Sequence, residues 1–138
     1  MKEITVEAKR ENLGEIFDFV VSALTESGCD KKLIRQCKLC VEEIFLNISS
    51  YAYHPETGPA TVTVEMANGD KPLRVKICFI DKGKPFDPLS EKNPDIESEL
   101  DERQIGGLGI FLVRTTMDDV FYEYTDGKNV LTMQKRFV

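Results

Sequence analysis

The stretch that decides the fold is residues 37–53, which read CKLCVEEIFLNISSYAY. Its apolar side chains recur every three or four positions, as they do along one face of an amphipathic α-helix. They are Cys37, Val41, Ile44, Phe45, Ile48 and Ala52. The pattern predicts a helix over residues 30–53 that packs on a core and ends before Pro55.

The same helix carries two polar side chains, Glu43 and Asn47, one turn apart at the flank of the apolar stripe. Residues four positions apart share a helix face, so both can converge on one ligand. Asn offers a neutral oxygen to a hard cation, and Glu can act as a base toward a hydroxyl or water. A solvated helix face is the alternative explanation for such a pair.

The segments before this helix predict a strand and a second helix. Residues 1–8 alternate between apolar and polar, which is typical of a half-buried edge strand. Residues 12–28 carry a second helical stripe. Asn12 is the predicted N-cap, with Glu15 completing a capping box, and Gly28 follows the end of the helix.

The segments after the long helix predict two hairpins separated by an irregular stretch. Residues 61–66 and 73–80 read as paired strands, and so do residues 120–125 and 130–137, across a turn at 126–129. A short helix is predicted over residues 110–117. Because helices and hairpins are segregated, we expect an α+β fold: a two-layer sandwich of helices on a mixed, mostly antiparallel sheet.

Asp81 comes directly after the predicted strand 73–80 and stands two residues before Gly83. A carboxylate at that point can accept a hydrogen bond from an exocyclic amine, while a glycine lets a flat ring approach the backbone. A simple Pro/Gly turn with solvated charges is the alternative explanation.

Residues 88–105 are acidic, contain prolines and lack periodicity, which predicts a functional lid or a disordered segment. The glycine-rich residues 106–109 follow it. They predict a loop that opens a helix, whose N-terminus favours phosphate. A hinge is the alternative for these glycines.

Charge and cysteine usage narrow the class of protein. The 138 residues suit one domain, and 24 acidic against 18 basic side chains give a net charge of -6, which disfavours nucleic acid and membrane partners. No secretory or membrane-spanning apolar run is found, so we expect a cytoplasmic protein. Cys37 and Cys40 form a C-x-x-C inside a helical pattern, which favours buried thiols over a zinc or redox site.

The order of three motifs carries a family resemblance. Residues 42–47 read EEIFLN with Ala52-Tyr53 behind them, residues 81–88 read DKGKPFDP, and residues 107–114 read GLGIFLVR. This series resembles the N, G1 and G2 boxes of the Bergerat (GHKL) ATP-binding superfamily of gyrase, MutL, the ninety-kilodalton heat-shock chaperone and histidine kinases. In detail it resembles the RsbW-like anti-sigma factor serine/threonine kinases.

The resemblance implies one histidine-kinase-like ATP-binding domain over residues 1–138, with an ATP lid at about 88–105, that uses ATP and Mg²⁺. It implies that Asn47 ligates Mg²⁺, that Glu43 is the general base toward a serine hydroxyl, and that Asp81 reads the adenine amine. The remaining implied nucleotide-binding residues are Gly83, Gly107, Gly109 and, as a weaker adenine contact, Thr132.

Two positions depart from that pattern. Tyr51 stands where the kinases often carry His, and Pro85 stands where histidine kinases and gyrase have a second glycine, which favours the anti-sigma branch.

The resemblance further implies partners: a sigma factor, an anti-sigma-factor antagonist whose serine would be phosphorylated, and a possible homodimer formed through the edge strand. The alternative function is a nucleotide-dependent scaffold that switches partners without transferring phosphate.

Overall fold

The computed structural model describes residues 1–67, 73–90 and 102–137. The following elements occur in chain order: β1 (Lys2–Glu7), α1 (Leu13–Glu26), α2 (Lys31–Tyr51), β2 (Pro59–Ala67), β3 (Arg74–Asp81), α3 (Glu102–Thr116), β4 (Asp119–Thr125) and β5 (Lys128–Arg136). Short 3₁₀ turns at Arg10–Asn12 and Pro88–Ser90 supplement them.

The strands form one sheet in the order β1-β2-β3-β5-β4. Each neighbouring pair in the described part of the chain is antiparallel. Along β3 the side chains of Val75, Ile77, Phe79 and Asp81 are buried, while the alternate positions are partly exposed. The buried face packs with the helices, so the predicted α+β fold class is confirmed.

Helix α2 forms the centre of the helical layer and contacts α1, α3 and β3. Its first turn is capped by Asp30, whose carboxylate accepts a hydrogen bond from the Leu33 backbone N–H at 2.8 Å. Its buried side chains are Leu33, Cys37, Cys40, Val41, Ile44 and Phe45, close to the predicted stripe. Truncation of a fully buried Phe such as Phe45 typically costs about 3–5 kcal/mol, so this stripe anchors α2 on the sheet.

The start of α1 differs from the predicted capping box. Asn12 makes no side-chain cap, because its backbone (φ -92°, ψ 1°) lies outside the extended region that a capping residue adopts. Its Nδ2 donates instead to the Glu7 carbonyl at 2.8 Å, which ties the turn before α1 to the end of β1. The predicted end is confirmed: Gly28 adopts φ +85°, a conformation that favours glycine.

The cysteines behave as the sequence predicts. All four are free thiols, and Cys37 and Cys40 are fully buried in the core. Burial raises the pKa of Cys37 to about 12 and that of Cys40 to about 11, so both thiols are protonated at neutral pH. Among the helices of the described ranges, none is long and apolar enough to cross a membrane.

The third helix differs most from its prediction. We predicted a glycine loop at 106–109 before a helix at 110–117, whereas α3 runs from Glu102 to Thr116 and contains the glycines. The run of strong helix formers at 102–104 extends the helix in the N-terminal direction. Of the predicted lid, residues 91–101 lie outside the described residues.

The last hairpin is tighter than predicted. Asp126 and Gly127 alone form the turn, with φ values of 53° and 75°. Strand β5 therefore begins at Lys128, and Asn129 belongs to the strand, where it lies opposite Asp81 of β3.

Candidate functional site

An open cleft of about 430 Å³ lies between α2 and the end of the sheet where β3 stops. The lining residues are Ile44, Asn47, Ile48, Tyr51 and Ala52 of α2 and its end; Phe79 and Asp81 of β3; Lys84, Phe86 and Pro88 of the following loop; and Tyr122, Asn129 and Leu131 of the last hairpin. Apolar side chains therefore form most of the walls, with a few polar groups between them.

Asp81 is the most deeply buried charged group of the cleft, with 5% of its surface exposed. Its Oδ1 accepts two hydrogen bonds, from the Gly83 backbone N–H and from Asn129 Nδ2, both at 2.9 Å. Its Oδ2 has no hydrogen-bond partner among the described residues. Every fully buried side-chain oxygen or nitrogen of those residues does have a partner, so an oxygen without one is not fully buried. Oδ2 is therefore accessible from the cleft as a hydrogen-bond acceptor.

Gly83 lets the loop after β3 lie directly on the end of α2. A Cβ at this position would fall 2.2 Å from the Ala52 carbonyl oxygen, far inside van der Waals contact. That carbonyl accepts a hydrogen bond from the Lys84 backbone N–H at 3.0 Å. Tyr53 Oη also accepts one from the Lys82 N–H at 2.7 Å and donates to the Pro59 carbonyl. These bonds fix the loop relative to α2.

Asn47 lines the cleft, and Glu43 lies one turn earlier on α2, toward α3. A Cβ on Gly109 would fall 2.2 Å from Glu43 Oε2, so α3 packs its glycine against this carboxylate. Burial, and secondly the charge of Glu42, raises the pKa of Glu43 above its usual value. A higher pKa makes the carboxylate a stronger base than an exposed glutamate.

The structure thus brings five of the predicted residues into one region: Asn47, Asp81 and Gly83 around the cleft, and Gly109 beside Glu43. Gly107 lies in α3, two residues before Gly109.

Thr132 is not part of this region, which corrects the prediction that it contacts the ligand. It pairs with Cys78, on the sheet face opposite Asp81, and its Oγ1 contacts Cys78 Sγ at 3.6 Å. The strand alternation is the reason, because residues an odd number of positions from Asn129 point to the other face.

Asn129 is the polar residue that the sequence reasoning missed. Only 7% of its surface is exposed, and it contacts Asp81 directly. The signal was the Asp126-Gly127 pair: a two-residue turn at these positions, rather than a four-residue turn, places Asn129 in β5.

Two exposed aromatic side chains, Tyr51 and Phe86, flank the mouth of the cleft. Their ring centroids are 6.3 Å apart with an interplanar angle of 39°. Tyr51 follows Asn47 by one helical turn, as Asn47 follows Glu43, so these three side chains lie along one side of α2.

The combined geometry suits a flat, amine-bearing ring. The open acceptor of Asp81 can receive an amine, and Gly83 keeps the backbone close-packed beside it. Asn47 offers a neutral oxygen along the cleft, and Glu43, one turn earlier on α2, offers a base.

The α+β sandwich agrees with the family that the sequence matches. Residues 6–135 match the histidine kinase-like ATPase domain, which covers nearly the whole chain, so the chain belongs to that family.

Individual relatives include kinases from three bacteria. The serine-protein kinase RsbW of Listeria monocytogenes is 31% identical over 111 residues, covering 78% of this chain and 69% of that protein. RsbW of Bacillus cereus is 27% identical over 133 residues, covering 94% and 81%. The serine/threonine-protein kinase BtrW of Bordetella bronchiseptica is 33% identical over 95 residues, covering 69% and 65%.

Proposed function

We propose that this protein is an ATP- and Mg²⁺-dependent serine/threonine protein kinase that acts as an anti-sigma factor. In this role it binds a sigma factor and phosphorylates a serine on an anti-sigma-factor antagonist. The kinase activity is extended to this chain from relatives that are named as protein kinases. The partner-switching role extends the resemblance to RsbW-like anti-sigma kinases.

The observation that carries the proposal is the accessible Oδ2 of Asp81 in a cleft that also contains Asn47, with Glu43 one turn further along α2. An adenine amine donates to such an acceptor. With the adenine ring at Asp81, a triphosphate that follows α2 toward the N-terminus of the helix reaches Asn47 and then Glu43. The adenine contact at Asp81, the metal ligand Asn47 and the general base Glu43 then lie along the length of the bound nucleotide, and positioning of this kind supplies most of the catalysis in phosphoryl transfer.

Mg²⁺ fits the donor set of the cleft. Within the described ranges, no group of three or more His, Cys, Asp and Glu side chains is arranged to hold a metal ion. Mg²⁺ commonly takes few protein ligands and completes its shell with phosphate oxygens and water. Asn47 would supply the protein oxygen, and the bound ion would neutralise charge on the phosphates.

Glu43 would act as the general base. In the transfer, the serine hydroxyl gives its proton to the Glu43 carboxylate and its oxygen bonds to the γ-phosphorus. The bond from that phosphorus to the β,γ-bridging oxygen breaks, and ADP leaves. The raised pKa of Glu43 favours proton acceptance, and its packing on Gly109 restricts its position.

The homodimer belongs to the same proposal. Strand β1 lies at one edge of the sheet, where its outer backbone groups can pair with a second copy.

Calorimetric titration with ATP, with and without Mg²⁺, tests the nucleotide site. We expect binding that strengthens with Mg²⁺, and Asn47→Ala should lose the Mg²⁺ dependence. Absence of ATP binding by the folded wild type would overturn the proposal.

A phosphorylation assay tests the activity and separates it from the scaffold alternative. Wild type, Glu43→Gln and the neighbouring control Glu42→Gln are incubated with labelled ATP and candidate antagonists from the same genome. We expect Glu43→Gln to bind Mg-ATP but to transfer phosphate about 10²- to 10⁴-fold more slowly. Glu42→Gln should stay close to wild type at neutral pH. Tight ATP binding without any transfer to antagonists that the protein binds would favour the scaffold.

A further inference from the structure

The carboxamide of Asn129 is the most densely hydrogen-bonded side chain of the cleft. Its Nδ2 donates to Asp81 Oδ1 at 2.9 Å, to the Lys84 carbonyl at 2.9 Å and to the Gly83 carbonyl at 3.3 Å. Its Oδ1 accepts from the Phe86 backbone N–H at 3.1 Å and from Tyr122 Oη. The side chain is nearly fully buried, so these protein groups replace water as its partners.

Backbone groups fix which way this amide faces. The carbonyls of Gly83 and Lys84 can only accept, so the nitrogen must face them. The N–H of Phe86 can only donate, so the oxygen must face it. Tyr122 strengthens this orientation by donating its hydroxyl to the same oxygen.

The orientation of Asn129 in turn decides what Asp81 presents to the cleft. Two donors, Asn129 Nδ2 and the Gly83 N–H, both engage Oδ1 and thereby hold the plane of the carboxylate. Oδ2 is left as an acceptor without a competing donor from the described residues. A ring amine can pair with it, whereas a ring carbonyl at the same place would face it acceptor to acceptor.

We propose that Asn129, held by Tyr122, is the positioning residue that sets the base selectivity of the nucleotide site. It makes Asp81 a fixed acceptor and so selects a purine that carries an amine at position 6 over one that carries a carbonyl there. This inference rests on the proposed nucleotide site. It adds two residues, on β4 and β5, that do not themselves belong to the three sequence motifs.

The test compares ADP with IDP by calorimetric titration. IDP carries a carbonyl in place of the 6-amine and a hydrogen on the adjacent ring nitrogen N1. Wild type should prefer ADP by roughly 10- to 100-fold, the effect of leaving a buried hydrogen-bonding group unmatched. The ratio of the two affinities is the informative quantity, because a variant that merely loosens the fold weakens both nucleotides together.

The decisive variant is Asn129→Asp, which keeps the shape and the acceptor toward Phe86 and Tyr122. It replaces the donor with an oxygen that faces the carboxylate of Asp81 and two carbonyls. Like charges at this distance cannot both remain ionised, so Asp81 must move or share a proton. We expect the ADP preference to fall to roughly threefold or less, because the acceptor is no longer fixed.

Tyr122→Phe and Tyr124→Phe form a matched pair that keeps the inference testable if Asn129→Asp does not fold. Both remove one hydroxyl from β4, but only that of Tyr122 is bonded to Asn129. We expect Tyr122→Phe to lower the ADP:IDP ratio by roughly two- to tenfold and Tyr124→Phe to leave it unchanged.

The outcomes separate the two proposals. If wild type binds neither nucleotide, the proposed function fails and this inference with it. If wild type prefers ADP but folded Asn129→Asp keeps the full preference, only this inference is overturned. An unchanged ratio in Tyr122→Phe overturns it when Asn129→Asp is unfolded, and a wild type without any preference overturns it as well.

Discussion

At the scale of single residues, the two oxygens of Asp81 have different tasks. Oδ1 is occupied by the Gly83 N–H and by Asn129 Nδ2, while Oδ2 is open to the cleft. A substitution that keeps the shape of the side chain can therefore leave its structural task intact and change only the chemistry that a ligand meets.

Asp81→Asn is predicted to fold and to lose adenine binding. Two donors hold Oδ1, so the substituted amide must place its oxygen there and its NH₂ toward the cleft, donor to donor with an adenine amine. The loss should be about 1–3 kcal/mol in binding free energy, or roughly 5- to 150-fold in affinity. Circular dichroism checks the fold and calorimetry with ADP checks the affinity. Unchanged ADP affinity would show that the adenine does not lie at Asp81.

Glu43 should give the kinase a pH dependence. A base must be ionised, so the transfer rate falls as pH drops through the Glu43 pKa, and that fall begins at a higher pH than for an exposed Glu with its usual value of about 4.3. Single-turnover rates against pH would show this limb. Because the charge of Glu42 contributes to the raised pKa, Glu42→Gln should move the limb to lower pH. A limb unmoved by Glu42→Gln and retained in Glu43→Gln would assign it to another group.

Residue types and spacing predicted Glu43, Asn47, Asp81 and Gly83 because each belongs to a short motif within one element or at its end. Asn129 could not be found in that way. Its role depends on the register between β3 and β5, which are almost 50 positions apart in sequence. A two-residue error in the turn length placed Asn129 in the turn. Thr132 was implied by the family resemblance and not by the turn, and it lies on the sheet face opposite Asp81.

At the scale of elements, the junction between α2 and the loop after β3 positions the cleft. The carbonyl of Ala52 receives the Lys84 N–H and closely approaches Gly83, while Tyr53 binds the Lys82 N–H. These contacts hold the carboxylate of Asp81 in place relative to Glu43 and Asn47 of α2. The functional side chains themselves are not joined by direct bonds.

Gly83→Ala is predicted to disturb this junction. The added Cβ would lie 2.2 Å from a backbone oxygen, which cannot move without shifting the end of α2 or the loop. We expect a loss of about 1–3 kcal/mol in the free energy of unfolding and a parallel loss of ADP affinity.

Gly14→Ala is the matched control for Gly83→Ala, since nothing lies within 4 Å of its added Cβ and its position is helical. It should leave stability unchanged or raise it by up to about 1 kcal/mol. Urea unfolding measures both variants. Equal stability of the two would show that the close approach at Gly83 has no energetic weight.

The elements themselves were predictable to different degrees. The amphipathic stripe of α2 and the alternation of β3 are local patterns, and both elements occur close to their predicted bounds. The predicted start of α3 was wrong. The glycines at 106–109 disfavour a helix locally, and the packing of α3 against α2, which favours it, is a tertiary effect that a local pattern does not show. Gly109 tolerates the helix because the missing Cβ leaves room for Glu43.

At the scale of the whole molecule, helix α2 joins the site to the core. One side of it carries Glu43 and Asn47 beside the cleft, and its buried side carries Cys37 and Cys40. Exposing these thiols requires α2 to leave the sheet, which also dismantles the cleft. Thiol chemistry at the two positions therefore reports on the integrity of the site.

Native Cys37 and Cys40 are predicted to resist alkylation. Their pKa values of about 12 and about 11 leave, at pH 8, roughly one thiolate in 10⁴ and one in 10³, and both side chains are fully buried. Pulsed iodoacetamide labelling read by mass spectrometry should modify the partly exposed Cys29 and Cys78 first and reach the α2 pair only through opening of the fold. ADP should slow labelling of the pair further, because a ligand that binds only the native state lowers the population of open molecules. Labelling of native Cys40 as fast as in urea would contradict this link between core and site, and a labelling rate unaffected by saturating ADP would show that the cleft does not open together with α2.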